Sequence, residues 1–474
     1  MKFWMNKRSW QQVSIKLLPF ADIATSELPL SKLVRLSLFQ VTVGMAATLL
    51  IGTLNRVLIL EMGVSAWIVS LMVALPIVFA PFRALIGFKS DTHKSVLGWK
   101  RVPYIWIGTI LQFGGFSIMP FALILLSGDT HWPMWFSYIA SALAFLMVGA
   151  GMQTTQTAGL ALATDLASEE ARPRVVAMMY VMLLVGMVLS GLVFSLFLSP
   201  FSPMQLIQVV QGVASVTVVL NLIAVWKQEA RDPLRHQKVE AQVFQATWKN
   251  FTADPKVKRF LIMLGLGTAA FSMQDIILEP YGGEVLHLSV AQTSFLTAIM
   301  SGGAICAFAL AARLLSRDVN PYRIASVALL VGLLAFVLII FAEPLNSPSL
   351  FRIGTAMVGF GGGLFSVSTL IIAMQLDKLS MAGLTIGAWG AVNTTASGVA
   401  IFLGGFIRDG ITNLAMKGEL GTALISPAIG YSFVYHIEIY LLFATLIALG
   451  PLVMYQAKEI QRKNSKFGLA ELPI

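Results

Sequence analysis

Charge is scarce in this chain. Only 12% of its 474 residues are Asp, Glu, Lys or Arg, against 57% hydrophobic, whereas a soluble domain carries about 25% charged residues. That scarcity excludes a water-soluble globular fold. In lipid every backbone N–H and C=O needs an internal partner, which leaves helices or closed barrels. The apolar runs are roughly 20 residues or longer, not alternating segments of about ten, so an all-α membrane protein is expected. Cysteine is scarcer still. Cys306 stands alone, which excludes an intrachain disulfide, and its apolar surroundings predict a small buried residue. Histidine is limited to five residues, and no Cys–His cluster has metal-ligand spacing. No Gly-x-x-x-x-Gly-Lys-Ser/Thr loop is present to hold a nucleotide phosphate, and there is no nucleophile elbow, so no enzymatic activity is expected. Gly265-Leu-Gly-Thr-Ala-Ala270 imitates a dinucleotide fingerprint but lies in an apolar run with no strand before it. The N-terminus shows no signal-peptide core ending in a cleavage site, so the first span is expected to be the insertion signal.

What is present is a succession of apolar runs. Twelve spans are expected, at 36–60, 65–87, 102–126, 134–163, 174–198, 205–226, 259–280, 290–313, 323–342, 349–376, 383–407 and 431–456. The polar segment 227–258 divides them into a six-span half, 36–226, and a second, 259–456. Segments 1–35 and 457–474 flank them. In the first of these, Trp10, Val13 and Leu17 share one helical face, with Lys7, Arg8 and Lys16 elsewhere. This reads as an amphipathic helix on the anionic leaflet. Phe244, Trp248 and Phe251 could form a similar face in the central loop. The net charge of +10 invites a nucleic-acid partner, but the positions of the charges argue against one. With the N-terminus taken as cytoplasmic, 28 of the 33 Lys/Arg fall on cytoplasmic segments and only Arg408 and Lys417 on outer loops. Both termini are therefore expected in the cytoplasm.

The halves repeat. Gly149-Ala-Gly151 precedes Asp165 by the same distance as Gly361-Gly-Gly363 precedes Asp377. With the same offset Thr154 matches Ser366, Thr157 matches Thr369, Ala161 matches Ala373 and Gly186 matches Gly398. Repeated six-helix halves are a transporter architecture with the substrate path between them.

Between the second and third spans lies Ala80-Pro-Phe-Arg-Ala-Leu-Ile-Gly-Phe-Lys-Ser-Asp-Thr-His-Lys-Ser-Val-Leu-Gly-Trp-Lys-Arg101. A glycine (Gly87), an aspartate four later (Asp91) and then Lys94, Lys100 and Arg101 resemble the corresponding loop of major facilitator transporters. Asp165 to Arg174, acidic at its start and basic at its end, resembles their loop between spans four and five. Longer signatures narrow the likeness. Leu17-Leu-Pro-Phe-Ala-Asp22, Gly52-Thr-Leu-Asn-Arg56, Phe79-Ala-Pro-Phe-Arg-Ala-Leu-Ile-Gly87, Gly98-Trp-Lys-Arg-Val-Pro-Tyr104 and Phe271-Ser-Met-Gln-Asp-Ile-Ile-Leu-Glu-Pro-Tyr-Gly-Gly283 resemble the PucC/LhaA family. This is the bacteriochlorophyll-delivery branch of the major facilitator superfamily, and the start is closer to its LhaA side. The resemblance implies a light-harvesting complex assembly factor in a photosynthetic membrane. Its cargo would be bacteriochlorophyll or chlorophyll, with carotenoid a further candidate. Its partners would be antenna polypeptides, with the reaction centre and pigment-synthesis enzymes as further candidates.

Charges inside spans are expensive and so are functional candidates. Asp275 and Glu279 lie four apart on one face of span seven. Arg56 lies in span one, the mate of span seven under the repeat. An Arg56–Asp275 pair is expected, with Glu61 a competing partner for Arg56. Glu279 is expected to be interfacial and wet, and Pro280 to end the helix. Arg83 is expected to pair with Asp91 or to reach lipid phosphate. A chlorin's magnesium takes axial N or O ligands. His93 and His236 fall in cytoplasmic loops, and His131 and His287 at the outer face. Only His436 enters a span, with Glu438 beside it. Gln153, Gln156, Gln274 and Asn393 are further candidate ligands, and helix packing by small and polar residues is the competing account of their positions.

Three functions are compatible with these residues: pigment delivery with antenna assembly, ion-coupled transport of a small solute, and a structural subunit of an antenna complex. The orientation is testable in each case. In a Cys306→Ser background, a cysteine at position 417 is expected to react with a membrane-impermeant maleimide from the periplasmic side. Labelling from the cytoplasmic side alone would overturn the topology.

Overall fold

A computed structural model of the chain describes residues 29–76, 86, 99–126, 133–168, 172–229, 253–315, 317, 319–375 and 382–465. All regular structure among these residues is helical. In chain order the helices are α1 (Ser31–Glu61), α2 (Ala66–Ala74), α3 (Val102–Leu126), α4 (Met134–Leu166), α5 (Arg172–Phe197) and α6 (Pro203–Val225). Then follow α7 (Pro255–Glu284), α8 (Val290–Leu315), α9 (Pro321–Ala342), α10 (Pro348–Gln375), α11 (Ala382–Met416) and α12 (Ala428–Ser465). Eleven of them are long and apolar enough to cross a membrane. The exception, α2, is described only over Ala66–Ala74. Arg83, Gly87, Asp91, Lys94, Asp377, the amphipathic face in 1–28 and the faces of the central loop at 230–252 lie outside the described residues.

Several helices start where their sequences direct. Ser202, Asp254 and Asn320 accept a hydrogen bond from the first turns of α6, α7 and α9, and each is followed by proline or has it at the first helical positions. Proline there gives up an N–H that has no helical partner in any case. Two helices depart from α geometry. α1 becomes π-helical over Thr48–Leu54 and Val57–Glu61. α7 tightens to a 3-10 turn over Met273–Ile276 and resumes at Leu278–Glu284. Pro280 therefore does not end the helix. It sits in the first turn of the resumed segment, where its missing N–H is tolerated and its ring excludes α geometry at the carbonyl four residues earlier, that of Ile276.

Two compact units emerge. The first comprises Met1–Gly63, Leu75–Val239 and Ser289–Ser301, the second Val64–Ala74, Glu240–Leu288 and Gly302–Ile474. The start of α2 thus groups with the second half of the chain and the start of α8 with the first. Each unit contains a tight antiparallel hairpin at equivalent places, α3 on α4 and α9 on α10. In the first, Gly108 and Gly151 face each other closely enough that a Cβ on Gly151 would lie 2.5 Å from the Gly108 carbonyl oxygen. In the second, a Cβ on Gly361 would lie 3.1 Å from that of Ala328. Gly151 and Gly361 each let helix backbones meet, but they are not counterparts under the repeat. Gly363, the counterpart of Gly151, faces Ala304 of α8, and Gly149, the counterpart of Gly361, faces the Pro76 ring.

The first unit also packs α1 on α5 through Gly44 and Gly186, and Thr53 Oγ1 meets Ser294 Oγ at 3.0 Å. Phe39, Leu36, Leu162, Met179 and Val102 belong to one fully buried cluster. In the second unit Ser70 of α2 packs against Gly405 of α11. Cys306, expected to be buried, is exposed on α8. In an apolar spanning helix the outward face is as hydrophobic as the core, so composition does not distinguish the two.

A Cβ on Gly186 would stand 2.6 Å from the Val41 carbonyl oxygen. Because backbone cannot yield as a side-chain end can, Gly186→Val is expected to cost at least the roughly 1–3 kcal/mol of ordinary overpacking. A lowered midpoint of thermal unfolding in detergent would register it.

Candidate functional site

The first unit holds a polar junction at the start of α3. The backbone N–H groups of Lys100, Arg101 and Val102 are orphan donors of a helix N-terminus. All three donate to the carboxylate of Glu229, just beyond α6, at 2.7–3.0 Å. A carboxylate there also complements the helix dipole. Arg101 is 4% exposed and donates from Nε to Asp165 Oδ2 at 3.1 Å. Two residues singled out in separate loops of the sequence, Arg101 and Asp165, are thus brought together. Arg174 lies in the first turn of α5. Glu229 was missed. Its only signal was an acid at the end of a span otherwise flanked by basic residues.

Deeper in the same unit runs a buried polar layer. Thr42 Oγ1 donates to Asn221 Oδ1, and Asn221 Nδ2 donates to Thr109 Oγ1, each at 2.9 Å. Gln112 Nε2 donates to Thr155 Oγ1 at 3.0 Å and Gln156 Nε2 to Gln40 Oε1 at 3.4 Å. These bonds tie α1, α3, α4 and α6 together, as the packing account expected. The layer is not fully satisfied: Gln153 Oε1, Gln112 Oε1 and Gln40 Nε2 are buried with no hydrogen-bond partner.

In the second unit the α7 break carries the chemistry. Gln274 is 1% exposed and donates from Nε2 to Asp275 Oδ1 at 2.5 Å. Glu279 is 2% exposed, not wet: the resumed helix after the 3-10 turn carries it inward. Asn393 Oδ1 accepts from Thr268 Oγ1 at 2.9 Å. Arg56, in the first unit, pairs with Glu61 at 2.5 Å, so it and Asp275 each have a partner inside their own unit.

Arg408 was placed in an outer loop, but α11 runs on to Met416 and buries it at 8% exposure. Its guanidinium bonds Glu284 of α7 and, at 2.7 Å each, Asp409 and the Tyr431 hydroxyl of α12. The Tyr431 hydroxyl donates in turn to Glu284 at 2.6 Å, and Asp409 accepts the Trp67 N–H of α2 at 2.8 Å. A buried arginine in lipid must be neutralised, and this network does so across four helices.

His436 lies on the exposed face of α12. Its Nδ1 is 2.6 Å from the Ser432 carbonyl oxygen. A carbonyl only accepts, so Nδ1 carries the proton there, and in the neutral ring Nε2 is the nitrogen left to accept or ligate. Phe433, Tyr440 and Phe443 are exposed nearby on the same helix.

This architecture defines a multi-pass membrane protein of the major facilitator fold. A bacterial homologue of the iron transporter ferroportin in its inward-facing state shares it with a TM-score of 0.65, at 12% identity, over 89% of this chain and 98% of that one. Identity that low speaks for fold alone. The chain belongs to the PUCC protein family, whose model matches residues 53–457. Protein PucC of Rhodovulum sulfidophilum is 53% identical over 406 residues, 84% of this chain and 89% of the relative. An uncharacterized protein in the puhA-bchM intergenic region of Rhodobacter capsulatus is 48% identical over 475 residues, 99% of each. More distant is the bacteriochlorophyll synthase 44.5 kDa chain of Rhodobacter capsulatus, 27% identical over 80% of this chain and 87% of that one.

Removing the acid at the start of α3 strands three backbone donors. Glu229→Ala is expected to destabilise the protein by roughly 1–3 kcal/mol, more than Asp165→Ala, whose exposed side chain leaves Arg101 open to water. Thermal unfolding in detergent orders the two variants.

Proposed function

We propose that this protein is a light-harvesting assembly factor that holds bacteriochlorophyll in the membrane and passes it to antenna polypeptides. Membership of the PUCC family along most of the chain carries the reading, and a relative named for bacteriochlorophyll synthesis supports the pigment class. Both termini face the cytoplasm in this reading, the membrane is the photosynthetic one, and the pigment is handled rather than transformed. Carotenoid, the reaction centre and the pigment-synthesis enzymes are secondary candidates as cargo and partners.

The side chains fit such a cargo. A chlorin is a flat apolar ring with one magnesium that accepts an axial N or O donor. His436 offers a neutral imidazole whose Nε2 is free because Nδ1 is engaged, on a helix face that is apolar and exposed. A hydrogen bond to the second ring nitrogen is the usual way a ligating histidine is oriented. Gln153 offers a second, interior donor in its orphaned Oε1. Gln156 and Gln274 engage their Nε2 groups with other side chains and Asn393 its Oδ1, so Asn393 is the weakest candidate of the three.

Purification from the native phototrophic membrane in mild detergent tests the reading. Near-infrared bacteriochlorin absorption and co-purified antenna polypeptides are expected. His436→Leu should lower the pigment-to-protein ratio several-fold without changing the yield of folded protein. A colourless protein that emerges alone would overturn the proposal.

A further inference from the structure

Glu438 stands on α12 in the interior of the second unit. It is 0% exposed; neither carboxylate oxygen makes a hydrogen bond of regular geometry, and the Gln274 backbone lies within reach of it. α12 packs on the 3-10 turn of α7, which places the Glu438 carboxylate within electrostatic reach of Asp275. Asp275 is half-buried, and its one hydrogen bond is from the Gln274 amide. Neither acid has an ion-pair partner among the described residues.

The groups facing this place from each packed element are few. From α7 come Asp275, Glu279 one turn on, and the Tyr281 hydroxyl, which donates to the Ile339 carbonyl oxygen of α9 at 3.3 Å. Glu284 and Arg408 of α11 are occupied with each other and with Tyr431. At the end of α9, Glu343 lies near Tyr281. On α12 itself Tyr435 is 0% exposed, and its hydroxyl has no hydrogen-bond partner. It lies within electrostatic reach of Glu438, with its ring 5.5 Å from that of Tyr281. The one cation in this set, Arg408, is already neutralised.

An ionised carboxylate buried without a counter-charge or hydrogen bonds is too costly to persist, and the group takes up a proton instead. A second acid within electrostatic reach reinforces this, because two like charges in one low-dielectric site repel. No group of three or more His, Cys, Asp or Glu able to hold a metal ion occurs among the described residues. We propose that Glu438 and Asp275 form a proton-binding site inside the second unit, sharing one exchangeable proton. An O–H bond forms at one carboxylate oxygen, and the proton comes from water reaching Asp275, the less buried of the pair. Such a site would let a transmembrane proton gradient act on the protein.

Infrared difference spectroscopy on the full chain in lipid nanodiscs tests this, with no pigment in the readout, so its failure leaves the pigment reading standing. A C=O stretch from a buried carboxylic acid is expected near neutral pH, with a downshift in D2O. Glu438→Gln, which mimics the protonated acid in shape, should abolish it. Glu438→Asp, which keeps the carboxyl group, and Asp275→Asn should shift it. Absence of the band from the unaltered protein would overturn the proposal whether or not the variants fold. So would a band that all three variants leave in place, or one that disappears on adding sodium at fixed pH, since the occupant would then be a metal cation.

Discussion

Backbone hydrogen bonding in lipid constrains everything else in this protein. Each N–H and C=O must be satisfied within its own helix, so the chain has little latitude except where a side chain or a proline interferes. Those interruptions coincide with the polar chemistry. α1 loosens to π geometry on both sides of Arg56, and α7 tightens to a 3-10 turn at Gln274 and Asp275, one turn ahead of Pro280. Helical regularity is given up where charge is buried, which is where irregular backbone tends to accompany function in membrane proteins.

Small residues solve the second problem, holding helices together when lipid is as apolar as leucine. Within each unit glycines carry the closest helix approaches, and hydroxyls and amides bind helices laterally. The Thr42–Asn221–Thr109 bridge and the Gln112–Thr155 bond are of this kind. Satisfied polar groups of this sort explain cohesion. Several buried polar atoms have no hydrogen-bond partner, Gln112 Oε1, Gln153 Oε1 and the Glu438 carboxylate among them, and cohesion does not account for these.

Charge in the second unit follows the same economy. Arg408 is tolerated because Glu284 and Tyr431 converge on it from neighbouring helices and Asp409 joins them from its own. Glu438 has no such company. Two buried ionisable groups in one unit thus meet opposite treatment, one neutralised by partners and one left to bind a proton.

Much of this was written in local pattern. Span lengths follow from bilayer thickness, and the caps of α6, α7 and α9 from Ser202, Asp254 and Asn320. The family lay in long contiguous signatures that need no folding to read. Hydropathy did not fix where helices ended: α11 ran past Arg408, because a charge that reads as a loop can be buried once partners are supplied. Nor did it show which face of a uniformly apolar helix points outward, so Cys306 was misplaced. Contacts between residues distant in sequence were beyond it altogether. Glu229 reaches α3 from some 130 residues away, and Glu438 comes within electrostatic reach of Asp275 only because α12 packs on the broken α7. Local sequence sets helix content and insertion, since lipid imposes the same demand on every residue. The pairing of buried polar groups depends on which helices pack together, and that is decided only by the tertiary fold.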